Sequence, residues 1–212
     1  PFKQLEIRAN FTYGHNQYRN TNRSANTTYS RYPGEIIVNT TGKFIDKLSE
    51  SVQTQHYYAT NIVATYSDTF KEKHNLKVMA GWNWETKHYK DIGATGYYLL
   101  SQKLSDLNLV GSGEDGTVRE ETTGGQNEYA LAGVFGRINY DYMGKYLFEV
   151  SGRYDGTSRF AADSRWGFFP SASAGWRISE EPFFAPAKKA IENLKVRYSY
   201  GTLGNQMVGD YY

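Results

Sequence analysis

The residue types that most often carry catalysis or hold cofactors are present in this chain, but their spacing does not form a site. Residues 111–116, "GSGEDG", match the letters of a dinucleotide fingerprint. That motif needs a strand before it and a helix after it, and the following "TVREETTGGQNE" offers no apolar helix face. The same stretch lacks the acidic first and third positions of a calcium-binding loop. No G-x-S-x-G segment carries a nucleophile. The sequence therefore predicts no catalytic residue and no enzyme.

Metal ligands are equally sparse in this sequence. The chain has no cysteine, which excludes a disulfide framework and thiolate metal sites. Its four histidines, His15, His56, His74 and His88, are spread out without paired ligand spacing. We expect them to be surface residues, and we expect no metal and no cofactor.

One segment does combine side chains that bind ligands without covalent chemistry. Residues 153–179, "RYDGTSRFAADSRWGFFPSASAGWRIS", join two aromatic clusters to several arginines. Asp-Gly at 155–156 commonly begins a turn, so a loop is expected from there to the next strand. The charged side chains then contact a substrate or a surface partner, or else form a salt-bridged loop that holds the structure together. The candidate residues are Asp155, Arg159, Arg165 and Trp166.

Composition narrows the possible partners. The formal net charge is +2, from 24 basic and 22 acidic residues, which is not the electrostatic footprint of a nucleic-acid binder. Aromatic residues make up 16% of the chain, with 19 Tyr against 3 Met. Rings rather than aliphatic side chains supply the apolar surface, and this bias favours strands.

The apolar residues recur with a period of two, which predicts β-strands. The alternation is clear over residues 128–142, 146–154, 168–178 and 194–200, and it is noisier before residue 128. It divides the last four strands into two faces. One face carries the charged residues Arg137, Asp141, Glu149, Arg153, Arg177 and Arg197, and the other carries Val134, Ile138, Phe148, Val150, Trp176 and Val196.

Two fold classes explain such alternation. Transmembrane strands need about 9 to 11 residues and carry aromatic girdles at the lipid–water boundary. Tyr140, Tyr142, Tyr146 and Phe148 surround a tight turn at 143–145, and Tyr154, Phe168 and Phe169 lie at the other strand ends.

The strands of a soluble β-sandwich also alternate between apolar and polar residues. Connection lengths favour the membrane barrel, because the links at 66–75 and 142–146 are short and those at 91–128 and 155–168 are long. The link at 179–193 departs from this pattern and suggests a helical turn.

Five sequence blocks in the second half of the chain support the barrel. From Gly136 onward the chain resembles the barrel of the SusC/RagA family of TonB-linked outer-membrane transporters. The resemblance rests on blocks that occur in the family's order: Asn139 to Tyr142, Arg153 to Phe160, Trp166 to Ser171, Gly175 to Glu180, and Lys195 to Asn205. Residues 1–127 carry no comparable blocks, so their assignment to the same barrel rests on continuity and alternation.

The resemblance implies an all-β fold, an antiparallel transmembrane barrel segment of about seven or eight strands. Relatives have a signal peptide, a plug and a barrel of roughly 22 strands, so residues 1–212 are expected to be an internal part of the barrel wall. The implied function is import of glycans or peptides across the bacterial outer membrane, with TonB and a SusD-like lid lipoprotein as partners. The charged face then lines the lumen. For the rim residues the structural role is favoured, because a motif shared by transporters of different substrates cannot specify one substrate.

The alternative hypothesis is a soluble β-rich carbohydrate-binding module. Its stacking rings would be Trp82, Trp84, Tyr97 and Tyr98. The two hypotheses differ in the environment of the apolar face: Val134, Ile138, Phe148 and Trp176 are buried in protein in the module and exposed in the barrel.

Overall fold

The computed structural model describes residues 4–39, 45–113 and 115–205. Within these residues strands dominate: β1 (Leu5–Ser24), β2 (Thr27–Tyr29), β3 (Ile37–Asn39), β4 (Lys47–Phe70), β5 (His74–Tyr97), β6 (Glu120–Tyr142), β7 (Tyr146–Thr157), β8 (Trp166–Arg177) and β9 (Lys195–Gly201). Three 3-10 helical segments lie in the connections, at Leu107–Leu109, Ile178–Glu180 and Pro182–Lys189. No helix in the described ranges has the length and apolar character needed to cross a bilayer.

Seven of the strands form one open sheet in the order β1-β4-β5-β6-β7-β8-β9. The short strands β2 and β3 pair with each other, antiparallel, in the connection between β1 and β4. From β4 to β9, strands that are consecutive along the chain are also neighbours in the sheet, and β1 lies beside β4. The pairs β6–β7, β7–β8 and β8–β9 are antiparallel. This up-and-down order confirms the predicted all-β, antiparallel segment of seven or eight strands.

The register keeps the two faces separate across β6 to β9. Ile138 lies opposite Val150, Val150 opposite Ala172, and Ala172 opposite Tyr200. On the other face Asn139 lies opposite Glu149, and Glu149 opposite Ser173. Successive side chains of a strand point to opposite faces, so the even-numbered residues form an apolar face and the odd-numbered residues a polar face. The period of two therefore holds over all four strands without a bulge.

The apolar face is not covered by other parts of the described chain. Val134 and Ile138 are each 50% exposed, and Phe148 is 51% exposed. Aromatic residues gather on this face near the tight turn, where the rings of Tyr142 and Tyr146 lie 6.4 Å apart, and at the opposite strand ends, where Tyr154 stacks on Trp166 at 5.1 Å. Phe169 was predicted for this second cluster, and that prediction is wrong, because Phe169 lies opposite Arg153 on the polar face.

The chain splits into two compact units, and strands β1, β4, β5 and β6 contribute residues to both. The first unit comprises Pro1–Tyr13, Tyr57–Lys87 and Glu128–Tyr212. It holds the hairpin turns and strands β7 to β9, and its buried apolar side chain among the described residues is Phe184. The second unit comprises Gly14–His56 and His88–Asn127. It has a small core of its own, formed by Leu48, Tyr97 and Leu99.

The connections differ from the sequence prediction at their boundaries. Strand β5 continues to Tyr97 and β6 begins at Glu120, so the predicted loop at 91–128 is reduced to residues 98–119. The predicted loop at 155–168 is reduced to residues 158–165, because β7 includes Asp155 and Gly156. Asp-Gly here is part of a strand rather than the start of a turn. The link at 179–193 does contain helical structure, as predicted.

Candidate functional site

The polar face of β6 to β9 brings together the six charged residues selected from the sequence. Arg137, Asp141, Glu149, Arg153, Arg177 and Arg197 all occupy the odd-numbered register positions. Arg197 on β9 lies opposite Gly175 on β8, and Glu149 on β7 lies opposite Ser173 on β8, so the two side chains rise from the strands on either side of β8. A row of ionisable groups of both signs on one face can bind polar ligands at several points.

Glu149 is the centre of one polar network. Its Oε2 accepts a hydrogen bond from Asn139 Nδ2 at 2.6 Å, and its Oε1 lies 3.9 Å from an Arg197 nitrogen. The same Arg197 guanidinium donates to Ser173 Oγ at 3.1 Å. The sequence analysis did not select Asn139 and Ser173, although their odd-numbered positions on the charged face could have identified them. The network leaves Arg197 more than half exposed and able to meet a ligand.

A groove of about 650 Å³ lies beside this network. Its walls include Asn75, Lys77, Asp141, Glu149 and Arg197. Asp141 has a structural partner as well, because its Oδ1 accepts from the backbone N–H of Gly144 at 2.6 Å and from Asn75 Nδ2 at 3.3 Å. The groove carries side chains of both charges beside apolar ones, so it can hold a ligand through a few polar contacts.

Arg153 forms a second network on the same face. Its guanidinium makes two 2.9 Å hydrogen bonds to the two carboxylate oxygens of Asp155 and a 3.0 Å hydrogen bond to Asn83 Oδ1. The guanidinium carbon also lies 4.8 Å from the centre of the Phe135 ring. Bidentate and stacked contacts need the planar guanidinium group, so lysine cannot replace arginine here. Arg153 and Asp155 are thus paired with each other on the polar face.

Three of the four predicted rim residues, Asp155, Arg165 and Trp166, line a second cavity of about 410 Å³. Arg153 and Phe160 line it as well. Arg165 donates from Nε to the Phe160 carbonyl at 3.2 Å, which holds the loop at 158–165 closed. Trp166 occupies an even-numbered position and stacks on Tyr154.

Arg159, the remaining rim candidate, packs its guanidinium against an aromatic ring. Its guanidinium carbon lies 3.8 Å from the centre of the Tyr129 ring, and its backbone N–H donates to Thr157 Oγ1 at 3.3 Å. These contacts fix Arg159 to both β6 and the end of β7. Whether any rim residue contacts a substrate remains a prediction.

The four candidate stacking rings occupy different environments. Trp82 and Trp84 flank Asn83, which reaches Arg153 on the polar face, so both indole rings belong to the apolar face of β5. Tyr97 and Tyr98 are adjacent at the end of β5, with ring centres 6.4 Å apart, and Tyr97 is only 6% exposed. Tyr97 is therefore a core residue of its unit. A sugar-stacking role for any of the four remains untested.

Two backbone bridges and one buried apolar side chain anchor the described residues of the connection at 98–119. Leu99 is buried and pairs with Val110 in an isolated bridge, and Ser112 pairs with Val118 in a second one. Tyr98 has a positive φ of 55°, and its backbone N–H donates to the Asp46 carbonyl at 3.0 Å. The Thr117 hydroxyl donates to Asp115 at 2.6 Å and is the main cause that lowers the pKa of that carboxyl.

The contacts described above support reversible binding of polar ligands. Among the described residues, no three histidine, aspartate, glutamate or cysteine side chains already surround one point where a metal ion could sit. The charged pairs found on the polar face are arginine–carboxylate and amide–carboxylate pairs, which bind and orient ligands.

Comparison with known proteins assigns the chain to a family. A family sequence profile described as TonB dependent receptor-like, beta-barrel, matches residues 2–212. The chain belongs to the TonB-dependent receptor β-barrel family. Its relatives include TonB-dependent receptor P39 of Formosa agariphila, 34% identical over 76% of this chain, and TonB-dependent receptor SusC of Bacteroides thetaiotaomicron, 29% identical over 80% of it. The SusC/RagA resemblance found in the sequence is thereby confirmed.

The fold agrees with solved structures of the same type. The sheet matches a chain of the RagAB peptide importer in its open-open state with a TM-score of 0.81 at 23% identity, and one of the RagAB peptide transporter with a TM-score of 0.79 at 24% identity. Each match covers 100% of this chain and 22% of the other chain. The curated relatives above are also much longer, since the chain covers 15% of the first and 18% of the second.

These findings decide between the two fold hypotheses. In a soluble module Val134, Ile138, Phe148 and Trp176 would be buried, but they are between 39% and 51% exposed. The family match and the exposed apolar face agree with each other. The interpretation as a soluble carbohydrate-binding module is therefore wrong.

Proposed function

We propose that the protein containing this chain imports a nutrient across the bacterial outer membrane in a TonB-dependent manner. The observation that carries the proposal is the match of residues 2–212 to a TonB-dependent receptor barrel. The two-faced sheet supports it, because an exposed apolar face opposite a charged face is the arrangement of a barrel wall between lipid and an aqueous lumen. Residues 1–212 form part of that wall, and the polar face is the lumen face.

The orientation follows from the connections. Outer-membrane barrels have short periplasmic turns and longer extracellular loops. The turns at 71–73 and 143–145 are short, whereas the connections at 98–119 and 158–165 are longer. The short turns therefore face the periplasm and the two longer connections face outward. The groove at Glu149 and Arg197 lies toward the periplasmic end of the lumen, and the cavity at Arg153 and Arg165 lies toward the outer mouth.

The substrate is an oligosaccharide or a peptide, and a SusD-like surface lipoprotein closes over the outer mouth. The solved RagAB structure, described as a peptide importer, supports the peptide class, and the SusC/RagA resemblance implies glycans as the other class. Glu149, Arg153, Arg177 and Arg197 contact the substrate as it passes. Carboxylate and guanidinium groups can bind sugar hydroxyls and the charged termini of peptides alike.

Uptake by whole cells tests this function. Cells that carry the full-length gene are compared with cells lacking that gene and with cells lacking TonB, using fluorescently labelled oligosaccharides and peptides. We expect uptake of one substrate class to disappear in both deletions and to return when the gene is restored. Uptake that persists without TonB, or that is the same without the gene, contradicts the proposal.

The lid is tested through the connection at 98–119. Residues 112–118 form its outer bridge and can be replaced by two glycines without shortening β5 or β6. We expect the altered transporter to assemble normally and to co-purify less lipoprotein. The matched control replaces residues 71–73 in the turn on the periplasmic side with Asn-Gly, which leaves lipoprotein recovery unchanged. Normal recovery with the shortened connection contradicts a contact there.

A further inference from the structure

Three of the four histidines lie in a row across neighbouring strands. His15 belongs to β1, His56 to β4 and His88 to β5, and β4 lies between the other two strands in the sheet. All three belong to the second compact unit. His15 is exposed, and His56 and His88 are half-buried. The sequence analysis treated them as unrelated surface residues, because 41 positions separate the first two.

The first two members of the row are in direct contact. The Nδ1 atoms of His15 and His56 lie 3.4 Å apart, and the ring centres lie 4.7 Å apart. Without a ligand, two such nitrogens share a proton, one donating and the other accepting. Two nitrogens bound to one tetrahedral zinc ion, at about 2.0–2.1 Å from the metal, lie roughly 3.3 Å from each other. The two rings are therefore already spaced as two ligands of one ion.

The strand register brings His88 beside His56. Side chains pair across β4 and β5 at Ser49 with Thr95, at 2.9 Å, and at Thr69 with Asn75, at 2.8 Å. Ser49 is as many residues from His56 along β4 as Thr95 is from His88 along β5, and the same holds for Thr69 and Asn75. The register between β4 and β5 is therefore the same on both sides of the histidines. His56 and His88 are then directly opposite, where Cβ atoms lie about 5 Å apart on one face.

We propose that His15, His56 and His88 bind one transition-metal ion, with water as the fourth ligand. Imidazole suits Zn²⁺, Cu²⁺ and Ni²⁺ and does not suit Mg²⁺ or Ca²⁺. The described side chains do not yet surround a common point as a group of three, so His88 joins the preformed pair by changing its rotamer. A bound ion links three neighbouring strands of the sheet, β1, β4 and β5.

Metal titration of the full-length transporter in detergent tests the site. The probe is Co²⁺, whose visible absorption becomes intense in tetrahedral nitrogen sites, followed by competition with Zn²⁺. The variants are His15→Asn, His56→Asn and His88→Asn. Because loss of groups that merely orient a ligand costs about 10- to 100-fold in affinity, loss of any one ligand should weaken Co²⁺ binding at least tenfold.

The fourth histidine supplies the matched control. His74 lies in a different environment, where its Nδ1 is 2.7 Å from the Tyr140 hydroxyl. His74→Asn should leave Co²⁺ binding unchanged, and all four variants should keep the heat-resistant mobility of the folded barrel. Equal binding by wild type and by His15→Asn or His56→Asn overturns the proposal. Full binding by His88→Asn overturns the three-ligand site, and equal weakening by His74→Asn shows that the effect is not specific to the row.

Discussion

Gly156 lies under the ring of Trp166, and this contact explains why glycine occupies the position. A Cβ added to Gly156 would lie 2.6 Å from the Trp166 ring, closer than real Cβ atoms approach a neighbour. The ring is rigid and also stacks on Tyr154 at 5.1 Å, so it cannot move without breaking that contact. The glycine therefore serves packing on the apolar face and not a turn.

Gly156→Ala should destabilise the folded barrel by about 1–3 kcal/mol, the usual cost of overpacking a filled site. The matched control is Gly136→Ala, on the neighbouring strand β6, where an added Cβ would meet only the Met79 carbonyl oxygen at an ordinary 3.6 Å. The measurement is the urea midpoint of the full-length protein in detergent. Equal midpoints for the two variants would show that Trp166 adjusts without cost.

Glu181 is a second residue with a defined structural task. It accepts from Trp176 Nε1 at 3.1 Å, and its other oxygen lies 3.2 Å from Lys145 Nζ. The hydrogen bond from the Tyr146 hydroxyl, followed by the one from Trp176, lowers the pKa of Glu181 below its usual value of 4.5. Glu181 thus joins the turn at 143–145, the end of β8 and the following helical segment.

A lowered folded-state pKa means that the Glu181 carboxylate stabilises the protein above about pH 4.5 and that this contribution is lost as the pH falls through the folded value. Glu181→Gln should therefore melt at a lower temperature than wild type at pH 7, and the difference should shrink toward pH 4. Glu180→Gln removes a neighbouring charge that is 47% exposed and paired at 3.4 Å with Lys188, so it should change melting little at either pH. A difference for Glu181→Gln that is constant with pH would exclude the carboxylate as its cause.

At the scale of elements, the hairpin turns carry backbone strain. Met143 has a φ of 55° and Gly144 a φ of 70°, and Lys145 N–H donates to the Tyr142 carbonyl at 3.0 Å. This pair of left-handed residues is what a type I′ turn requires, and asparagine or glycine fits it best. Methionine carries a side chain that this conformation disfavours by about 1–2 kcal/mol.

Met143→Asn should therefore stabilise the β6–β7 hairpin by about 0.5–1 kcal/mol, because asparagine tolerates the left-handed region. The measurement is again the urea midpoint in detergent. Met143→Ala provides the comparison, since alanine removes the long side chain without relieving the strain. A gain for alanine equal to that for asparagine would assign the effect to the side chain rather than to the backbone.

The sequence predicted well those strands whose two faces differ in polarity. In β6 to β9 a charged residue such as Arg137 stands next to an apolar one such as Ile138, so a period of two is visible and the register follows. The ends of β5 and β6 were assigned to a loop, because the stretch from Glu120 to Asn127 has no apolar side chain. Where neither face is apolar, hydrogen bonding alone makes the strand, and the residue pattern does not reveal it.

Prediction of the candidate sites from the sequence has the same limit, because a residue pattern reports only on its own strand. The six charged residues share a face because alternation is local, and this could be predicted from each strand separately. The partners Asn83 and Ser173, and the contact between His15 and His56, depend on register between strands distant in sequence. A register is set by hydrogen bonds across strands, so no pattern within one strand shows which residues meet.

At the scale of the whole molecule, the sheet has one surface that water does not solvate well. The even-numbered residues of β6 to β9 form a continuous apolar face. Five of its members are each at least 50% exposed: Val134, Ile138, Phe148, Val150 and Val196. On β1, Ile7 and Phe11 are 66% and 68% exposed. Soluble monomers rarely expose contiguous apolar patches of more than a few hundred Å². Lipid or detergent is the environment in which such a face is stable.

Residues 1–212 expressed alone should therefore aggregate in water and remain dispersed only in detergent. Within the described sheet, β1 and β9 each have one neighbouring strand, and unpaired edges add to the tendency to associate. Light scattering and size-exclusion chromatography with and without detergent measure the outcome. A control variant changes Val134, Ile138, Val150 and Val196 to threonine, which retains strand propensity and makes the same face polar. The variant should aggregate less than wild type if the apolar face is the cause, and equal aggregation would assign it to the strand edges. A wild-type chain that stays monomeric in water and melts cooperatively would contradict a lipid-facing surface altogether.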